Sequence, residues 1–87
     1  MAFDSSAGYR LDPKVALRPE PFGALAYHYG SRRLTFLRTP LLADVVRHLG
    51  EYGSVEEALA ERVPEADRAG YRKALSKLAS SEFIRAS

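Results

Sequence analysis

A very short link between two runs of strand-forming residues constrains this chain most. Residues 25–29 read Leu-Ala-Tyr-His-Tyr, residues 32–37 read Arg-Arg-Leu-Thr-Phe-Leu, and only Gly30 and Ser31 separate them. A two-residue link that begins with Gly is typical of a type II′ hairpin, in which the Gly has a positive φ. The link predicts the pairs Tyr29 with Arg32, Tyr27 with Leu34, and Leu25 with Phe36.

Side-chain alternation along these strands predicts two different faces. We expect the apolar face to pack on the core, and it carries Leu25, Tyr27, Tyr29, Leu34 and Phe36. We expect the opposite face to be more polar and wetter, and it carries Ala26 with Thr35 and His28 with Arg33.

The segment before the hairpin has weaker strand signals. Residues 1–8 are short, polar and small, and we expect a disordered tail there, followed by a single domain over residues 9–87. Within residues 9–21, Val15 and Leu17 alternate with smaller or charged residues. Three prolines in the same stretch remove backbone donors, so it is an irregular edge strand at best.

Three helices are predicted after the hairpin. Thr39 as N-cap and Pro40 at the first helical position begin the first one. Ser54 and Glu57 form a capping box at the start of the second. The third covers roughly residues 65–80, and Phe83 with Ile84 then forms a short closing strand or a hydrophobic plug. Strands followed by helices indicate an α+β fold with segregated elements.

Composition argues for a small folded intracellular protein. The chain has 87 residues, 46% hydrophobic and 28% charged, and no cysteine. These fractions are close to globular averages, and the absence of thiols fits a reducing compartment. We find no signal-peptide core and no apolar run of the ~20 residues that span a bilayer. We therefore expect a soluble, cytoplasmic protein without a membrane partner.

The sequence offers no catalytic constellation, so we predict that the protein is not an enzyme. The two histidines, His28 and His48, have no metal-ligand spacing, and we expect both on polar surfaces. Glu56 and Glu57 are adjacent on a helix and point in different directions. No glycine run cradles a phosphate and no serine has a nucleophile-elbow context. We expect neither a metal nor a cofactor.

Charge is distributed in three blocks. Residues 1–50 carry a net +3, residues 51–67 a net −5, and residues 68–87 a net +4. The second hairpin strand has three arginines, and no acid lies between Pro21 and Asp44. If the free edge of this strand lay beside the third helix, the two would form a groove with basic rims that accepts an acidic peptide as an added strand. Alternatively, these cations are only a solvated helix face and gatekeepers against aggregation.

Two sequence runs resemble a known family. Residues 15–24 and residues 27–37 closely resemble the peptide chaperones of the mycofactocin system. These belong to the PqqD-like recognition elements of pathways that modify ribosomally made peptides. The resemblance extends from Tyr9 to Arg85 and includes Leu11-Asp12-Pro13, the join at residues 37–40 and the closing residues 75–84. The first run is quite specific, whereas the helical remainder is generic.

The resemblance implies a winged-helix-like fold with an N-terminal three-stranded antiparallel sheet followed by three helices. It implies that a precursor peptide adds to the third strand, here residues 33–38, against the third helix, here about residues 67–79. It also implies that a radical-SAM maturase receives the peptide. The proline-rich first strand departs from the pattern and could shorten the sheet. We predict peptide binding by Arg33, Leu34, Thr35, Phe36, Leu37, Arg38, Arg68, Arg72, Lys73 and Lys77.

Two other functions are open at this point. A winged-helix protein could place its third helix in the major groove of DNA, although acids on the supporting helix and a net charge of +2 argue against a nucleic-acid partner. A purely structural subunit could instead bridge proteins through Tyr9, Tyr27 and Tyr29.

Overall fold

The computed structural model describes residues 3–87; Met1 and Ala2, the start of the predicted tail, lie outside the described residues. The described part confirms an α+β fold in which N-terminal strands are followed by three helices, and a short fifth strand follows the last helix. The strands are β1 (Tyr9–Leu11), β2 (Val15–Glu20), β3 (Gly23–His28), β4 (Arg33–Leu37) and β5 (Ile84–Ala86). The α-helices are α1 (Pro40–His48), α2 (Val55–Arg62) and α3 (Arg68–Ser80), with 3-10 turns at Leu49–Glu51 and Glu65–Asp67.

The strands form two sheets. The predicted three-stranded antiparallel sheet is confirmed, in the order β2-β3-β4. β2 pairs along its whole length, including Pro19 opposite Ala24, so the prolines do not shorten this sheet. Pro19 is tolerated because β2 is an edge strand. The expected single strand over residues 9–21 is instead two strands, since β1 pairs separately with β5, placing Leu11 opposite Ile84.

The register of the β3–β4 hairpin is as predicted, but its turn is not. Tyr27 pairs with Leu34 and Leu25 with Phe36. The ladder ends one pair earlier than expected, leaving residues 29–32 as a four-residue turn, and the positive φ belongs to Arg32 (61°) and not to Gly30. Gly30 is needed for space, because a Cβ there would lie 2.9 Å from the His28 ring and from Lys14 Cδ.

The predicted faces of the hairpin are reversed. Ala24, Ala26 and His28 are buried, whereas Leu34 is 60% and Phe36 59% exposed. The physical reason is size. The two alanines let α1 pack close to β3, and larger side chains would hold the helix away. We call the solvent-facing side of this sheet the outer face; it carries Leu25, Tyr27, Leu34 and Phe36, with Phe22 against Phe36.

His28 is therefore a core residue and not a surface one. It is 7% exposed, and its Nδ1 accepts a hydrogen bond of 3.1 Å from the Ser31 N–H, which closes the hairpin turn. The Phe83 ring meets it edge-on at 5.9 Å between centroids. His48, by contrast, is half-exposed, with its Nδ1 2.7 Å from a Glu51 carboxylate oxygen.

Both predicted helix caps are present. Thr39 Oγ1 accepts from the Leu42 N–H at 3.0 Å, and Ser54 Oγ accepts from the Glu57 N–H at 3.1 Å. These bonds satisfy donors that a helix N-terminus otherwise leaves free. Within the helices, the core is formed by Val45, Val46, Leu49, Val55, Leu59, Leu75 and Leu78. None of the helices in residues 3–87 has the length and hydropathy needed to cross a membrane.

The described part of the predicted tail contacts the domain. The Phe3 and Tyr9 rings lie 4.9 Å apart. The Val55 N–H donates to the Ala7 carbonyl at 3.1 Å, and the Glu56 N–H to the Ser5 carbonyl at 3.0 Å. This segment therefore supplies acceptors for the first turn of α2; its disorder stays a prediction.

Candidate functional site

One edge of the three-stranded sheet has no strand beside it. Within residues 3–87, β4 pairs with β3 alone, and residues 33–38 make no backbone hydrogen bond outside that ladder. An edge strand of this kind presents unpaired N–H and C=O groups to its surroundings.

The hydrogen bonding of β3 indicates which main-chain groups of β4 are free. The Tyr29 N–H donates to the Lys14 carbonyl at 3.0 Å, which lies on the β2 side. Because donors alternate in direction along an antiparallel strand, the Ala26 N–H points to β4, and its partner Thr35 points back to β3. Leu34 and Phe36 consequently direct their N–H and C=O groups outward.

A groove separates this free edge from α3. Its volume is about 630 Å³, and its walls are Leu34, Thr35, Phe36, Leu37, Arg38, Leu42, Gly70, Lys73, Ala74, Lys77 and Leu78. The hydroxyls of Thr39 and Tyr71 lie 2.8 Å apart and join the start of α1 to α3 near one end of this groove. Gly70 has no side chain and leaves that part of the helix surface open.

The rim of the groove is positively charged. Lys73 and Lys77, one helical turn apart, and Arg38, at the end of β4, are all exposed. Among the described residues, none of these three cations has a carboxylate within salt-bridge distance. Their charges are therefore available to an acidic partner.

Arg68 does not belong to this rim. Its Nε donates to the carbonyls of Leu59 and Val63, at 3.1 and 2.8 Å, and its Nη2 donates to that of Ala60 at 3.2 Å. These carbonyls end α2, where a cation also interacts favourably with the helix dipole. The role of Arg68 in the fold is to fasten α3 to the end of α2.

Arg72 also contacts α2. It donates to both oxygens of Glu56, at 2.6 and 2.8 Å, in a bidentate ion pair. Hydrogen bonds from Arg72 and from Ser5 lower the pKa of Glu56 to about 2. The carboxylate therefore stays charged, and the pair stays formed, until the pH falls toward that value.

The structure thus brings seven of the ten predicted peptide-binding residues together, from Leu34 to Arg38 with Lys73 and Lys77. Arg33 is exposed beside the turn, and Arg68 and Arg72 face α2. The sequence prediction missed Leu42, Gly70, Ala74 and Leu78. On α3, Gly70, Ala74 and Leu78 follow one another at intervals of four, a helical spacing that could have identified them together with Lys73 and Lys77.

Within residues 3–87, no cluster of three or more His, Asp or Glu side chains could hold a metal ion. The fold and the groove define a class of protein: a small α+β binding domain that offers a free strand edge beside a basic helix, the geometry used to bind an extended peptide.

Comparison with known proteins gives the family. The model of the peptide chaperone MftB family matches residues 8–85. Proteins named Peptide chaperone MftB are similar over most of their length. The one from Mycobacterium ulcerans (strain Agy99) is 46% identical over 95% of this chain and 77% of its own. The one from Mycobacterium tuberculosis (strain ATCC 25618 / H37Rv) is 45% identical over 94% and 76%.

A third relative, from Mycolicibacterium smegmatis (strain ATCC 700084 / mc(2)155), is 40% identical over 97% of this chain and 83% of its own. The chain belongs to the peptide chaperone MftB family, which confirms the resemblance seen in the sequence. The family is named for a chaperone and not for an enzyme. No solved structure matches this chain significantly, and the winged-helix-like description stays a prediction.

Proposed function

We propose that this protein binds the precursor peptide of the mycofactocin system as an antiparallel strand added to β4, and that it presents the peptide to a radical-SAM maturase. The observation that carries the proposal is the free edge of β4 beside the basic groove. The three relatives described above are each named a peptide chaperone, which supports the peptide-binding part of the proposal.

Main-chain bonding alone does not account for specific binding. Leu34 and Phe36 offer two N–H and two C=O groups, each worth about 0.5–1.5 kcal/mol net. Ordering one peptide residue costs about 1–2 kcal/mol, so the cost of ordering a five-residue strand exceeds the gain from these bonds. The remaining binding free energy must come from side chains that enter the groove and from the attraction of Arg38, Lys73 and Lys77 for acidic residues.

The short length of β4 suits presentation. Five residues of β4 span about 17 Å and engage a peptide segment of similar length. The rest of a bound peptide extends beyond the groove and is accessible to an enzyme. We place this activity in the cytoplasm, where ribosomal synthesis delivers the precursor.

Reversing the charge of the groove rim tests the electrostatic part of the proposal. The variant Lys73→Glu with Lys77→Glu should bind the precursor peptide about 10-fold more weakly at ~50 mM salt, because two exposed charges each contribute up to ~1 kcal/mol. The loss should shrink as salt is raised and screens the charges. Isothermal titration calorimetry at several salt concentrations measures both effects.

A matched control separates the groove from net charge. Lys14→Glu with Arg47→Glu makes the same change in charge at two exposed sites outside the groove. We expect this control to bind within about twofold of the wild-type chain. Equal losses in both variants would exclude a local role for the rim, and a wild-type chain that binds no precursor would contradict the proposed function itself.

A further inference from the structure

The outer face of the sheet has an apolar surface that the core does not use. All large hydrophobic residues that are exposed within residues 3–87 lie between positions 22 and 36: Phe22 (41%), Tyr27 (37%), Tyr29 (55%), Leu34 (60%) and Phe36 (59%). Phe22 and Phe36 stack edge to face at 5.5 Å. Contiguous apolar patches larger than a few hundred Å² are uncommon on monomers and mark interaction sites.

The groove accounts for only part of this surface. Leu34 and Phe36 line the groove as well as the outer face, whereas Phe22, Leu25 and Tyr27 do not line it. A peptide strand on β4 would therefore leave β3 and Phe22 uncovered. Something other than the peptide is needed to explain that half of the patch.

The surroundings of the outer face are basic. Between residues 13 and 43 the only acid is Glu20, and it pairs with Arg18 at 3.2 Å. Among the cations of this stretch, Arg18 lies opposite Leu25 on this face, and Arg32 and Arg38 flank β4. A partner that fits this surface has an apolar centre and an acidic border.

The outer face is small compared with a stable interface. Three strands of five or six residues cover roughly 14 by 18 Å, or about 250 Å² in projection. Stable interfaces bury about 800 Å² of accessible surface on each partner, so a partner that docks here must also contact surface beyond this face. A second copy of the chain would place the same cations opposite one another, which disfavours a homodimer through this face. A peptide strand added to β4 would widen it with a fourth strand and make one continuous surface.

We propose that the outer face docks the maturase, and that the maturase recognises this face and the bound peptide strand together. The inference rests on the proposed function, since it needs the peptide on β4. It requires the maturase to bind the loaded protein more tightly than the empty one. By linkage, the maturase must strengthen peptide binding by the same factor.

The test is the double variant Leu25→Thr with Tyr27→Thr, which removes apolar surface from the outer face and keeps residues that favour strands. Calorimetry with the precursor peptide should give an affinity within about twofold of wild type, because neither residue lines the groove. The affinity of the loaded variant for the maturase should fall at least about 10-fold. The groove variant Lys73→Glu with Lys77→Glu should instead bind the precursor peptide about 10-fold more weakly.

Two variants of Tyr27 alone, with Leu25 unchanged, test the charge of the partner surface. Tyr27→Glu should weaken maturase binding more than Tyr27→Lys does, because the inferred partner surface is acidic at its border. Circular dichroism should show that both fold like the wild-type chain, since Tyr27 is exposed.

The possible results distinguish the inference from the proposed function. Normal maturase affinity in the double variant, with normal peptide binding, overturns the inference and leaves peptide binding intact. Equal maturase affinity for the empty and loaded wild-type protein overturns it as well. If the wild-type chain does not bind the precursor peptide, the proposed function fails first and the inference fails with it.

Discussion

Replacing Leu34 by Pro should weaken binding of the precursor peptide by about 30-fold or more. The Leu34 N–H points away from the hairpin, so its loss removes a bond to the peptide and leaves a peptide carbonyl unsatisfied, at a cost of about 1–3 kcal/mol. The proline ring also fills space that the added strand needs. Because β4 is an edge strand, the variant should still fold. Calorimetry with the precursor peptide measures the change.

Leu34→Thr is the matched control for this effect. It shortens the same side chain and keeps the backbone donor, so it should lose much less affinity than the proline variant. Equal losses would show that the side chain matters and the main chain does not. Full binding by Leu34→Pro would rule out strand addition at this position.

Replacing Gly23 by Ala should destabilise the fold by about 3 kcal/mol or more. Gly23 begins β3 with φ at +153°, and a Cβ there would lie 2.1 Å from the Leu37 carbonyl oxygen and 2.8 Å from that of Thr39. Backbone strain and overpacking each cost about 1–3 kcal/mol. A domain of this size has only about 5–15 kcal/mol of stability, so urea unfolding should show a much lower midpoint.

Gly70→Ala is a comparison substitution that should change the free energy of unfolding in the opposite direction. A Cβ at Gly70 meets nothing within 4 Å, and the residue lies inside α3. The same substitution should therefore raise stability by about 0.5–1 kcal/mol. If Gly23→Ala and Gly70→Ala unfolded at the same urea concentration, Gly23 would not lie as close to the β4–α1 junction as described here.

The features that the sequence predicted correctly depend on nearby residues. The β3–β4 register follows from one short turn, and the caps at Thr39 and Ser54 follow from residues within one helical turn. The pairing of β1 with β5 joins opposite ends of the chain. The residues near Tyr9 contain no pattern that indicates pairing of β1 with β5.

The reversed faces of the hairpin show the limit of hydrophobicity as a guide. Leu25, Tyr27, Leu34 and Phe36 were expected in the core because they are large and apolar. Ala24 and Ala26 take that place since α1 needs small side chains in order to approach β3. A close helix–sheet contact is a property of the assembled fold, so alternation alone gives two faces without saying which one is buried.

The four cations of α3 have different contacts, and this too is a property of the assembled fold. Its four cations looked equivalent in sequence, but Arg68 and Arg72 satisfy carbonyl and carboxylate groups of α2. Lys73 and Lys77 alone lie on the groove. This division also weakens the DNA-binding alternative, because a recognition helix with two of its cations engaged internally has little charge left for phosphates.

Amide hydrogen exchange at β4, followed by NMR with and without the precursor peptide, tests the free strand edge most directly. In the free protein the Thr35 amide should be protected by its bond to β3, while the Leu34 and Phe36 amides exchange rapidly. Adding the peptide should protect Leu34 and Phe36 and change Thr35 little. Slow exchange of all three amides before any peptide is added, or no gain at Leu34 and Phe36 in the complex, would contradict strand addition at β4.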